Sequence, residues 1–197
     1  FNRESDGGDC KKSKGKKIII SEIEPINVLQ VAEMMQKFGF TTTKIPVDHD
    51  GFINLEKLKE AVDKDTILVS VSSVNNELGT IQPIKEAVDI VKDKNPQALF
   101  HTDATDAYGR IPLNVQDLKV DLATVGSFKI QGPRGMGALY LREGVNLERI
   151  IEGQIGTQKL WPGVENTPLI VGFTKASELA FENFEANTAK MRKLRDM

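Results

Sequence analysis

Cysteine, tryptophan, tyrosine and histidine are all scarce: the 197 residues hold one, one, two and two of them. A single thiol, Cys10, excludes an internal disulfide framework and suits a reducing compartment, so a cytoplasmic protein is expected. Cys10 lies in the charged, glycine-containing run Ser5 to Lys12 and reads as a casual linker thiol. Two histidines leave little material for a metal centre. His49 stands between Asp48 and Asp50 in a turn-like stretch with no second ligand cluster, so no metal site is expected. No apolar run approaches the roughly 20 residues of a membrane span, and no signal-peptide pattern precedes the first apolar stretch. The net charge of -2 carries no basic excess, which argues against a nucleic-acid binder. The one basic run, Lys11 to Lys17, is diluted by Glu4, Asp6 and Asp9 and reads as a solvated loop.

What is present is a 40% hydrophobic chain, long enough to bury a substantial core in one domain with a tail. Residues 1–16 read as a polar lead-in or insert loop. Strands are expected at 17–21, 41–47, 66–71, 98–102, 120–125 and 137–141. Helices are expected at 26–38, with Gly39 as its stop, at 55–62 and at 84–92. One long helix is expected from Pro168 to Lys193, with alanines, leucines and phenylalanines suited to packing against a second domain. Such alternation implies an α/β fold, a mostly parallel sheet with helices on both faces.

Three strand exits carry polar residues. Thr66 to Val71 runs into Ser72-Ser73-Val74-Asn75-Asn76-Glu77. Ala98 to Thr102 runs into Asp103-Ala104-Thr105-Asp106. Asp121 to Val125 runs into Gly126-Ser127-Phe128-Lys129 and then a Gly/Pro-rich turn before a further apolar strand. Ligands of α/β sheets gather beyond the carboxyl ends of strands, so Asn75, Asp103 and Lys129 form a constellation. A lysine sheltered where a strand meets such a turn can act as a Schiff-base amine. An acid at the neighbouring exit could keep a pyridine nitrogen protonated. His101 lies two residues before Asp103, so both point to the same face of an extended strand.

The stretches VNNELGTIQPI, FHTDATDAYGRIPLNV, LKVDLATVGSFKIQGPRGMGALYL and PGVENTPLIVGFTKASELA resemble the class V aminotransferase fold, in its cysteine desulfurase and selenocysteine lyase branch. The 2–17 insert and ENTPLIVGFTKASELA are most similar to selenocysteine lyase. The resemblance covers roughly Ile18 to Met197 and implies the large domain of a pyridoxal 5'-phosphate (PLP)-dependent transferase fold. Residues 17–167 would be the cofactor-binding domain, and 168–197 would lead toward a small domain. Relatives are about twice as long, so a fragment of a longer fold is expected. By resemblance, Lys129 matches the lysine that carries the cofactor, Asp103 the partner of the pyridine nitrogen and Asn75 a residue beside the ring. His101, Asp106 and Ser127 fall among the cofactor-binding positions. A homodimer is implied, with loops crossing to the partner's pocket.

Several positions differ from the family pattern. Pro25 stands where relatives stack a histidine on the ring, and Asp106 stands where they have glutamine near the phenolic oxygen. Gly126 and Phe128 replace a serine and a histidine that hold the phosphate; each lost contact would cost about 1.5–3 kcal/mol. Trp161 and Val164 replace an arginine for the substrate carboxylate and a threonine that reaches a phosphate. Buried apolar area gained by Trp161 would favour contact over substrate capture, so it is expected at a subunit interface or against the small domain. Two functions follow. One is the large-domain portion of a lyase that removes selenium or sulfur from selenocysteine or cysteine to give alanine. The other is a catalytically degenerate relative acting as a binding or scaffold protein.

Overall fold

The computed structural model describes residues 15–153 and 160–197. Cys10, most of the 1–16 lead-in and most of the basic run lie outside them. The first strand, β1 (Lys17–Ser21), is a run of isoleucines. It is followed by α1 (Ile26–Gln36), β2 (Thr41–Ile45), α2 (Leu55–Ala61), β3 (Thr66–Ser70) and α3 (Ile84–Lys94). Then come β4 (Leu99–Asp103), α4 (Val115–Leu118), β5 (Leu122–Gly126), a 3-10 turn (Ser127–Ile130), β6 (Gly137–Leu141), α5 (Thr167–Glu182) and α6 (Phe184–Arg195). All six expected strands form, with boundaries moved by one or two residues.

The strands make one sheet in the order β2-β1-β3-β4-β5-β6. Every pairing is parallel except β5 with β6, which is antiparallel through the Lys129 turn. Strands buried on both faces read as continuous apolar runs, and each face has its own core. Ile19, Val69, Phe100 and Ala123 pack with Leu58 of α2 and Ala87, Val88 and Val91 of α3. Ile18 and Ile20 point the other way, against Val28, Leu29, Ala32 and Met35 of α1. On that same side Leu99 and Leu122 meet Val145 and Leu147. The parallel α/β sheet with helices on both faces is therefore the architecture of this chain.

The expected single helix from Pro168 to Lys193 is two helices. Asn183 leaves the helical region at φ -110°, ψ 19°, closing α5 and opening α6. Phe181 and Phe184 stack across the break with ring centroids 6.1 Å apart. Nor does α5 only await a second domain. Its Phe173 is buried, and Tyr108 meets the rings of Phe173 and Phe181 edge-on at 6.2 and 5.2 Å. This helix thus packs on the loop after β4 and on the Lys129 turn, where a Cβ on Gly132 would lie 3.1 Å from Ala176.

One buried charge ties four elements together. Asp121, fully buried, accepts the Phe100 N–H at 2.7 Å and the Lys92 ammonium at 2.5 Å, and pairs with Arg142. Its own N–H donates to the Phe100 carbonyl at 3.0 Å. Removing one partner of such a buried cluster leaves uncompensated charge. We expect Asp121→Ala to destabilise the fold by about 3–5 kcal/mol in chemical denaturation. A loss below about 1 kcal/mol, the scale of a surface pair, would show the cluster to be peripheral.

Candidate active site

The exits of β1, β3, β4 and β5 lie side by side because the parallel ladders keep their carboxyl ends on one edge. The β4 exit is the middle of the arrangement. Asp103 pairs in register with Thr124 of β5, and its carbonyl accepts from both the N–H and the hydroxyl of Ser73, beyond β3. Its carboxylate Oδ1 accepts the Thr105 N–H at 2.9 Å, which turns the chain back on itself. Among the described residues no donor meets Oδ2, so one carboxylate oxygen faces outward.

His101, on the same face as Asp103, is wedged between two hydroxyls. Nδ1 lies 2.8 Å from Ser70 Oγ, and Nε2 lies 3.3 Å from Thr124 Oγ1. Burial pushes its pKa below the ordinary value, with the Asp103 charge opposing that shift. A neutral imidazole therefore lines this face at physiological pH.

Lys129 is delivered by the turn after β5. Its ammonium lies 2.7 Å from Asp106 Oδ1 and 5.6 Å from the centre of the Phe128 ring. Arg110 clamps both partners: one guanidinium nitrogen lies 3.1 Å from Asp106 Oδ1, and the other donates to the Lys129 carbonyl at 2.9 Å. The turn closes through Gln131 at φ 62°, a left-handed conformation that a non-glycine residue adopts at a cost of about 1–2 kcal/mol. Asp103 with Thr105, and Asp106 with Lys129, are thus two neighbouring pairs on the adjacent exits of β4 and β5.

The other expected site residues are placed differently. Ser127 is fully buried and its hydroxyl donates to the Pro133 carbonyl, tying the turn together. Asn75 is buried, with its amide donating to the Ile23 carbonyl and its oxygen accepting from the Glu77 and Leu78 N–H groups. It holds the β3 exit loop against the β1 exit. A Cβ on Gly126 would stand 3.0 Å from the Phe128 ring and 3.1 Å from the Thr105 methyl. The Phe128 ring thus occupies the space that a side chain at 126 would need. Trp161 is 66% exposed and Val164 fully on the surface, so neither packs into this core.

A set of ring partners fits PLP here, namely the outward oxygen of Asp103, neutral His101 and the Lys129 amine. Phosphate donors do not come from this turn, because Gly126 has no side chain and the Ser127 hydroxyl is engaged. The fit is therefore to the ring end of the cofactor.

Glu24 is a functional neighbour that sequence reading missed. Only 4% exposed, it accepts from Ser21 Oγ at 2.6 Å and from Ser72 Oγ at 2.6 Å, and takes the Ser72 N–H on both oxygens. It thereby staples the β1 exit to the β3 exit, just before Pro25. Burial raises its pKa above the ordinary value, the Ser21 and Ser72 bonds pull it back, and the Asp103 charge adds to the rise. Between its unfolded and folded pKa the native state binds more protons, so the Glu24 contribution falls as pH rises. Relative to Glu24→Gln, the unmodified protein should gain stability as pH drops from neutral toward 5, measured by urea melts at each pH. A difference that stays flat across that range would contradict the burial of a titrating acid.

A profile of the family described as "Aminotransferase class-V" matches residues 8–196. Cysteine desulfurase IscS of Clostridium botulinum (strain Hall) is 43% identical over 186 residues, 94% of this chain and 46% of that protein. A solved structure titled "NIFS-LIKE PROTEIN" superposes with a TM-score of 0.90 at 39% identity, covering 94% of this chain and 51% of that one. Another, "SspA in complex with cysteine", gives a TM-score of 0.78 at 34% identity, covering 84% and 48%. The chain spans about half the length of the relatives it matches. With its parallel sheet, its lysine turn and matches along nearly its whole length, this chain belongs to the class-V aminotransferase family, among relatives that are cysteine desulfurases of the IscS/NifS type.

Proposed function

We propose that this chain is the cofactor-domain portion of a PLP-dependent lyase that removes sulfur or selenium from cysteine or selenocysteine, leaving alanine. The observation that supports the reading is Lys129 on the turn after β5, at the exit next to the β4 exit that carries Asp103. Residues 17–167 would form the cofactor domain, with 168–197 leading toward a second domain. A homodimer in a reducing, cytoplasmic compartment fits the exposed Trp161 and the single cysteine. No helix among the described residues is long and apolar enough to cross a membrane.

Each residue has a physical task. When bound, PLP supplies an electron sink for charge developing beside the amino-acid nitrogen. Asp103 Oδ2 would accept a hydrogen bond from a protonated pyridine nitrogen, and a carboxylate there favours the charged ring. His101, neutral and fixed by Ser70 and Thr124, would present a flat surface without adding charge. Lys129, once free of Asp106, would hold the aldehyde end and move protons over short distances. Asn75 and Glu24 would act at one remove, by fixing the β1 and β3 exit loops.

The second reading, a degenerate relative that serves as a scaffold, is favoured by the filled space beside Gly126 and the engaged Ser127 hydroxyl. A titration with PLP separates the two. Covalent attachment gives absorbance at roughly 400–430 nm, a property of the cofactor. We expect a band with a dissociation constant weaker than micromolar that disappears in Lys129→Ala. No band at all would favour the scaffold. Micromolar or tighter binding would show that phosphate contacts are supplied despite Gly126 and Phe128.

A further inference from the structure

The cation of Lys129 is held from two sides, by an acid and by a ring. Asp106 touches it at 2.7 Å, and the Phe128 ring faces it at 5.6 Å. Both contacts suit an ammonium and neither suits a neutral, attacking amine: a carboxylate accepts from a cation, and a ring face attracts one. The pair is sheltered, with Asp106 only 15% and Lys129 26% exposed. Arg110 keeps the acid from swinging away, since it binds Asp106 with one nitrogen and the backbone of Lys129 with another. The Phe128 ring, half exposed, rests over Gly126, where only a missing side chain gives it room. Four positions, 106, 110, 126 and 128, thus cooperate on one amine.

We propose that Asp106, backed by Arg110 and Phe128, is a latch on Lys129: it holds the lysine as an ion-paired ammonium, and an aldehyde can be taken up only when that pair opens. The proposal rests on the PLP-site reading for its functional meaning, but the latch itself is a property of this chain. Uptake of an aldehyde requires the Nζ ammonium to lose one proton and attack the carbonyl carbon, its other two protons leaving later with the carbonyl oxygen. A C=N bond forms and the carbonyl oxygen leaves as water. An ammonium bonded to a carboxylate has no lone pair to begin that sequence, so opening precedes attack. Asp106 is accordingly a positioning residue, acting through Lys129 rather than on the substrate. Its charge also sets which carbonyl compounds would enter. A neutral aldehyde meets no opposition, whereas an anionic group placed beside Asp106 would be repelled.

Two independent readouts test the latch in the full chain. In the first, the rate of Lys129 acetylation by acetic anhydride is followed by peptide mass spectrometry at one fixed pH. The other lysines serve as internal standards. Asp106→Asn should raise the Lys129 rate roughly tenfold, the ratio expected for losing one charge-assisted hydrogen bond. Phe128→Leu should raise it by a smaller factor. Asp106→Glu, which keeps the charge, should return it toward the original rate. Thermal melts of each variant separate loss of the pair from loss of the fold. Should Asp106→Asn not fold, Phe128→Leu carries the decision. A Lys129 rate unchanged in whichever of Asp106→Asn and Phe128→Leu folds overturns the latch.

In the second readout, PLP is added and the visible band recorded. Stronger attachment in Phe128→Leu, which leaves the Asp106 charge in place, than in the original chain supports the latch, and weaker attachment opposes it. Faster acetylation without any band in any variant leaves the latch standing and removes the PLP reading instead.

Discussion

A fully buried carboxylate, Asp121, fixes the geometry on which the site depends. Just before β5, its N–H donates to the Phe100 carbonyl of β4, and its side chain accepts the Phe100 N–H in return. Lys92 from the end of α3 and Arg142 from the end of β6 supply the compensating charge. The pairing of His101 with Leu122, Thr102 with Ala123 and Asp103 with Thr124 follows from that anchor. A one-residue slip would turn Asp103 and His101 to the opposite face. A charge withdrawn from water is expensive, so it persists only where all its partners are in place. The sheet is therefore held in one register at the bottom, and the polar residues at its top inherit that alignment.

At the top, charges are organised in two groups that barely resemble each other. One is acidic and anchored by hydroxyls and amides: Glu24 on Ser21 and Ser72, and Asp103 on Thr105. The other is an alternating series of cation and anion: Arg110, Asp106 and Lys129. Pro25, Gly126 and Phe128 are apolar or lack a side chain, and they stand where the resembling family puts imidazoles and a hydroxyl. On the proposed reading, the ring end of the site would keep its partners while its amine is tied to an acid. The same backbone can thus carry either a reactive or a quiescent lysine, and a few side chains decide which.

Much of this was legible in the sequence because parallel sheets leave a plain trace. Runs such as Lys17 to Ser21 and Thr66 to Ser70 have no alternation, which marks strands buried on both sides. The polar residues that follow each run mark the edge where ligands of such sheets collect, which is the ground on which Asp103 and Lys129 are proposed. Other features had no local signal. The break at Asn183 is hidden because Phe181 and Phe184 continue the apolar pattern of a single helix. Glu24 looks like any surface acid until Ser72, 48 positions away, closes over it. The pairing of Asp106 with Lys129 joins two loops 23 residues apart, and Phe128 fills a space that only Gly126 creates. Long-range contacts of this kind come from the register of the sheet and leave no periodicity to read.

The central claim is that one lysine among the many in this chain stands in a carbonyl-binding site built from the β4 and β5 exits. The most direct measurement is to add PLP in excess, reduce with borohydride and map the pyridoxyl group by peptide mass spectrometry. The account predicts modification concentrated on Lys129 and lost in Asp103→Ala, which removes the ring partner while leaving the lysine. Modification scattered over exposed lysines such as Lys59 and Lys64, with Lys129 bare, would contradict it.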